Sequence, residues 1–157
     1  MNRSRKDIIV LGLGNPLMAD EGIGGFLIDR LIEKKDDYPD VEFIDAGTGG
    51  MAMLHLIAER KKVIIIDCAY MNKAAGTMIR FSPDDVESVK KLMHYSLHEI
   101  DILKVIELAR RLNQCPDDIV ILGVEPEKIE LKDSLNPALM KNIDGYLETV
   151  RSLLQPE

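Results

Sequence analysis

Gly12-Leu13-Gly14-Asn15-Pro16-Leu17-Met18-Ala19-Asp20-Glu21-Gly22-Ile23-Gly24 lies between two segments of different periodicity. Ahead of it, Ile8-Ile9-Val10-Leu11 is a continuous apolar run that reads as a buried β-strand. Behind it, Phe26-Leu27-Ile28 and Leu31-Ile32 recur at helical spacing. The chain therefore opens as strand, glycine-rich loop and helix. Open α/β sheets bind ligands in the crevice beyond the carboxyl ends of their strands. The loop lies where a site is expected, and it brings two carboxylates there, Asp20 and Glu21.

Neither phosphate-binding reading of the loop survives. A dinucleotide fingerprint needs a third small residue so that the helix can approach the strand, and Leu17 occupies that place. The Gly-x-x-x-x-Gly-Lys-Ser/Thr loop needs a lysine, and none follows Gly22 or Gly24. Carboxylates at this point repel a phosphate and suit a cation, a proton transfer or a hydrogen-bond donor. The bland alternative is a turn in which Asp20 or Glu21 complements the helix dipole.

Further along, Val41–Asp45 is a short second strand, followed by a second glycine-rich loop, Ala46-Gly47-Thr48-Gly49-Gly50. Met51 to Glu59 suits a helix, and Lys62–Asp67 is a third strand whose unbroken apolar run is that of a strand covered on both faces. Asp67 ends that run, at the carboxyl edge of the sheet. Gly76–Phe81 alternates like an edge strand. Ser82-Pro83 opens a helix, and Ser96-Leu97-His98-Glu99 has capping-box spacing before a long one. Ile102, Val105, Ile106, Ala109 and Leu112 form the predicted buried face of that long helix. Ile119–Val124 is another buried strand. Asn136-Pro137 opens the last helix, with Leu139, Ile143, Leu147, Val150 and Leu154 on one side. Strands alternating with helices predict an α/β fold, a three-layer α/β/α sandwich. The hairpin-length gap between Asp67 and Gly76 predicts one antiparallel strand in a mostly parallel sheet.

A chain of 157 residues can bury roughly 70% of its unfolded surface around one core, so a single domain spanning 1–157 is expected. The hydrophobic fraction of 46% and charged fraction of 30% are those of an ordinary globular protein. A net charge of −7 disfavours a nucleic-acid partner, whose phosphates call for Lys and Arg. Cys68 and Cys115 form no C-x-x-C pair or zinc spacing. No signal peptide is visible and no apolar run approaches the ~20 residues of a membrane helix. The expectation is a cytoplasmic protein with no membrane partner.

Glu21 begins the first helix, Asp67 ends the third strand, and His98 falls in the first turn of the long helix. Two carboxylates and an imidazole could hold one divalent transition metal with positions left open. A helix N-terminus disfavours the imidazolium and keeps His98 able to ligate. His94 and His55 compete for the same role, although the capping box places His94 outside the helix and His55 falls mid-helix. Cys68 beside Asp67 is a conceivable nucleophile, but strand alternation turns it away from its neighbour, and a buried structural cysteine is the simpler reading. No Gly-x-Ser-x-Gly elbow or His-Glu-x-x-His motif is present.

The ordered set Gly12-x-Gly14-Asn15-Pro16-Leu17-x-x-Asp20-Glu21-Gly22-x-Gly24, Asp45-Ala46-Gly47-Thr48, Ile66-Asp67-Cys68-Ala69, Gly76-Thr77, Leu97-His98 and Gly123-Val124-Glu125-Pro126 resembles the hydrogenase maturation endopeptidases over nearly the whole chain. The resemblance implies a twisted, mixed five-stranded sheet between helices. It implies an endopeptidase that removes the C-terminal extension of a nickel–iron hydrogenase large-subunit precursor after nickel insertion. It also implies that Glu21, Asp67 and His98 contact the metal, which the substrate supplies as nickel and which other divalent ions could replace in isolation. Glu21 and Asp67 become the candidate catalytic carboxylates, and Asp45, Gly47 and Thr48 the candidate substrate-binding residues. Metal polarisation of the carbonyl and activation of water by a carboxylate both remain open. The expected partner is the precursor, met by a monomer. Peptidyl-tRNA hydrolase shares the opening Gly-Leu-Gly-Asn-Pro but continues differently, and the acidic charge opposes tRNA binding. The other competing readings are a nickel-binding module that does not cut and a plain structural or dinucleotide-binding α/β domain, which Leu17 disfavours.

Overall fold

The computed structural model describes residues 5–85 and 97–156, with the backbone alone described for 97–101. Five strands form one sheet in the order β2-β1-β3-β5-β4. They are β1 (Ile8–Gly12), β2 (Val41–Asp45), β3 (Lys62–Cys68), β4 (Met78–Phe81) and β5 (Asp118–Val124). The helices are α1 (Ile23–Ile32), α2 (Met53–Ile57), α3 (Leu97–Arg111), α4 (Pro137–Met140) and α5 (Ile143–Leu154). β1 pairs in parallel with β2 and β3, and β3 with β5, while β4 runs antiparallel to β5.

Period-two alternation builds the two cores. Val10, Ile64, Ile66, Val120 and Leu122 point to one face, where Leu27, Ile28 and Leu31 of α1 and Leu147, Val150 and Leu154 of α5 cover them. Ile9, Leu11, Val63, Ile65, Ile119 and Ile121 point to the other, under Met53 and Ile57 of α2 and Ile102, Val105, Ile106 and Ala109 of α3. The predicted three-layer α/β/α sandwich with a mostly parallel five-stranded sheet is thus the observed architecture.

The predicted antiparallel strand is present at the sheet edge, but it makes no hairpin with β3. β5 inserts between them, with Asp67 opposite Gly123 and Ile79 opposite Gly123 on the other side. The predicted face of α3 holds except at Leu112. The helix ends at Arg111, Asn113 takes a left-handed φ of 55°, and Leu112 is 49% exposed in the turn. The last helix is two. Asn142 donates its side-chain amide to the carbonyl of Ala138 at 3.0 Å, marking the break between α4 and α5. Ser82 caps as predicted: its hydroxyl accepts from the Asp85 amide at 3.2 Å, and Asp85 Oδ2 accepts from the Ser82 amide at 2.9 Å. The Ser96–Glu99 capping box lies outside the described residues.

Candidate functional site

The first loop is held against the sheet by backbone contact. Gly24, in the first turn of α1, lies on the chain of β1 and β3: a Cβ there would collide with the Leu13 backbone and come within 2.7 Å of the Ile66 carbonyl. This is the close helix–strand approach that a dinucleotide loop obtains from its third glycine, achieved here ten residues beyond Gly14. Gly14 itself has φ +124°, a conformation that an L side chain rarely adopts, and a Cβ there would strike the Glu21 carbonyl. The loop therefore folds back so that the tight turn Ala19–Gly22 packs against β3. Glu21 is half-buried in that turn, two residues ahead of α1 rather than within it.

Asp20 is fully buried and serves the scaffold. Its Oδ2 accepts from the amides of Glu127 and Lys128 at 2.7 and 3.0 Å and from Asn136 Nδ2 at 3.0 Å, and its Oδ1 accepts from the Asn136 amide at 2.7 Å. Burial alone would raise the Asp20 carboxyl. The hydrogen bonds from Asn136, Lys128 and Glu127 outweigh it and hold the group below the usual carboxylate range. Asp20 thereby ties the first loop to the segment after β5. Backbone bonds between Ala19 and Lys132 (2.7 Å) and between Lys132 and Leu17 (3.0 Å) complete the tie. The glycine spacing drew attention to the Asp20-Glu21 pair without separating its members; burial separates them.

Asp67 is 1% exposed at the carboxyl end of β3, and its Oδ1 accepts from the Cys68 amide at 2.8 Å. Alternation places Asp67 on the face of Val63 and Ile65, the face covered by α2 and α3. Cys68 falls on the opposite face in the α1–α5 core, as a structural cysteine. α3 has 15 residues, about 22 Å of helix, and its Arg111 end leads within seven residues to the start of β5 at Asp118. Its first turn, which carries His98, therefore lies toward the carboxyl edge of the sheet on the side of Asp67. The side chain of His98 lies outside the described residues, as does His94. His55 is exposed on α2. Among the described residues no group of three His, Cys, Asp or Glu side chains is placed to hold a metal ion.

The second glycine-rich loop lies beside the first. Asp45 Oδ1 accepts from the Gly47 amide at 3.0 Å, and the Gly47 carbonyl accepts from the Gly14 amide at 2.7 Å. Asp45 Oδ2 faces Gly25 of α1, and Thr48 is exposed next to the half-buried Gly47. On the other side, Glu125 is a site-shaping residue that spacing did not reveal. Its buried carboxylate accepts from the Met71 amide and from the Lys73 amide at 3.4 Å, fixing the loop that leaves β3. That loop carries Tyr70. Partial burial, then the charges of Cys68, Glu125, Asp20 and Glu21, push the Tyr70 phenol above its ordinary value, which puts Tyr70 within the field of the same carboxylates.

A family model described as "HycI: Hydrogenase maturation protease" matches residues 27–153. The chain is 34% identical to the Hydrogenase 2 maturation protease of Escherichia coli over 152 residues, covering 94% of this chain and 90% of that protein. It is 33% identical to the hydrogenase expression/formation protein HupD of Rhodobacter capsulatus over 150 residues, covering 93% of this chain and 70% of that protein. The hydrogenase maturating endopeptidase HybD from E. coli superposes with a TM-score of 0.83 at 31% identity, over 94% of this chain and 91% of that one. The chain belongs to the hydrogenase maturation protease family, and it is a peptidase.

Proposed function

We propose that this peptidase removes the C-terminal extension of a nickel–iron hydrogenase large-subunit precursor once nickel has been inserted, and that Glu21, Asp67 and His98 recognise the nickel that the precursor carries. The observation that supports this most is the convergence at one sheet edge of a loop carboxylate, a buried strand-end carboxylate and the first turn of α3. Carboxylate oxygens and an imidazole suit a divalent ion of nickel's kind, which accepts nitrogen and oxygen ligands. Nickel is here part of the substrate, so the protein need not retain a metal of its own.

On this reading Asp67 contacts the nickel. Its Oδ1 is oriented by the Cys68 amide, which fixes the carboxylate before substrate arrives. Contact with substrate-borne nickel then sets the distance between the scissile peptide and the two carboxylates. Glu21, being half-buried and not fully enclosed, is the better placed of the two to take a proton from the attacking water. Water adds across the peptide C–N bond; the mature subunit gains a carboxylate and the released peptide an amine. Asp45, Gly47 and Thr48 flank this point and bind the chain of the precursor. No helix among the described residues is long and apolar enough to cross a membrane, and we place the protein in the cytoplasm as a monomer that meets its precursor there.

Cleavage of nickel-loaded and nickel-free precursor, compared at equal concentration, tests the reading. Processing is expected only for the loaded form, and equal processing of both would remove nickel from the recognition step.

A further inference from the structure

Seven large hydrophobic side chains are exposed among the described residues: Leu17, Ile32, Met51, Tyr70, Leu112, Leu131 and Met140. Ile32 ends α1 and Leu112 follows α3, both toward the amino edge of the sheet. The other five stand on the loops that leave the carboxyl ends of β1, β2, β3 and β5, or on α4 beside them. Leu131 is 84% exposed and is joined to Leu17 through the Leu17–Lys132 backbone bond. Exposed apolar side chains scattered singly need no explanation, but a group gathered on one face marks a surface that another molecule covers.

Within this face lies a groove of about 450 Å³ between α1 and the segment that enters α4. Gly25, Phe26 and Met140 contribute apolar wall, and Asp29, Asp45 and Asp133 are its charged lining residues. No Lys or Arg lines it. Arg30, on the same helix, is turned onto the Phe26 ring, 5.2 Å from its centre. The groove is thus apolar in wall and uniformly negative in charge, a match for a partner that brings a basic side chain on an apolar surface.

We propose that this face is an exosite: it grips the folded body of the hydrogenase precursor outside the scissile segment, with Leu17, Leu131 and Met140 against apolar surface and the Asp29–Asp45–Asp133 groove around a basic side chain. The proposal rests on the function given above. A short peptide threaded past Asp67 has no need of an apolar face extending to Leu131, whereas a folded subunit that presents a buried nickel centre must be docked as a body. Docking of that kind explains how a protease can require a folded, nickel-loaded precursor and leave other exposed chain ends uncut.

Steady-state cleavage of nickel-loaded precursor, together with its equilibrium binding to immobilised protease, tests the exosite. The variants are Leu131→Ser, Asp133→Lys and, on the opposite edge, Leu112→Ser. Leu131 and Asp133 are exposed, so equal thermal midpoints should confirm that these variants fold. The expected result is a rise in both KM and Kd of about tenfold for Leu131→Ser and for Asp133→Lys, with kcat held within about twofold and Leu112→Ser like wild type. Added salt should weaken the binding of wild type and have less effect on Asp133→Lys. Unchanged KM and Kd in both face variants, with wild type active, would overturn the exosite and leave the proposed function standing. A wild-type protein that neither binds nor cuts the loaded precursor would overturn the function itself, and the exosite with it.

Discussion

Asp20 and Asn136 stand 116 residues apart and meet in the interior, where the Asn136 amide and its side-chain Nδ2 both donate to the Asp20 carboxylate, at 2.7 and 3.0 Å. This pair locks the loop that carries Glu21 to the start of α4, so the position of a candidate catalytic carboxylate depends on a contact between distant parts of the chain. Asp20→Ala leaves the amides of Glu127, Lys128 and Asn136 without their acceptor. It is expected to cost about 3 kcal/mol in urea unfolding, and to lower activity because Glu21 follows the loop.

The same pair gives a pH dependence. The folded-state pKa of Asp20 is lowered, so its contribution is fully present above the ordinary carboxylate value, about 4, and is lost as pH falls through the lowered folded value. The stability advantage of wild type over Asp20→Asn should therefore hold from pH 7 to 5 and shrink below about pH 4. Urea midpoints of both proteins across that range check it.

Gly24→Ala should be among the most damaging small substitutions. Its methyl group would meet the Leu13 backbone and the Ile66 carbonyl, which are hydrogen-bonded to each other and cannot yield. A loss of about 3 kcal/mol is expected, readable as a lowered denaturant midpoint. Gly145→Ala, where an added Cβ meets nothing within 4 Å, should be neutral or slightly stabilising.

Much of this was legible in the sequence because it is periodic. The continuous run Lys62–Asp67 and the alternating Gly76–Phe81 located their strands, and Asp67 was expected at the sheet edge where it is found. The failures are of one kind. Leu112 continued a helical period past the point where Asn113 turns the chain, and the Asp67–Gly76 gap suggested a hairpin where β5 intervenes. Long-range insertion and chain reversal leave no trace in local spacing. Asp20 and Glu21 are neighbours with equal local signals. Only the arrival of Asn136 and the 127–128 amides, over 100 residues away, makes one a buried clamp and leaves the other at the crevice. Glu125 stands in a motif of the resemblance, but its role was hidden for the same reason, since its partners Met71 and Lys73 lie across the sheet edge.

Glu125→Gln keeps the shape and removes the charge that holds the loop after β3. Hydrogen exchange at the Met71 amide should quicken by about tenfold, the size of one weakened charge-assisted bond. Cleavage should slow as Tyr70 and Asp67 lose their fixed surroundings. Unchanged exchange at Met71 would mean that the loop is held by other contacts.

Glu21 and Asp67 are proposed to serve cleavage of a nickel-loaded hydrogenase precursor. Intact mass of that precursor, before and after incubation with wild type, Glu21→Gln and Asp67→Asn, tests it most directly. Loss of a single C-terminal peptide is expected with wild type, and a rate lower by about a hundredfold or more with either variant, both variants remaining folded. Full-length precursor after incubation with wild type, or undiminished cleavage by either variant, would contradict it.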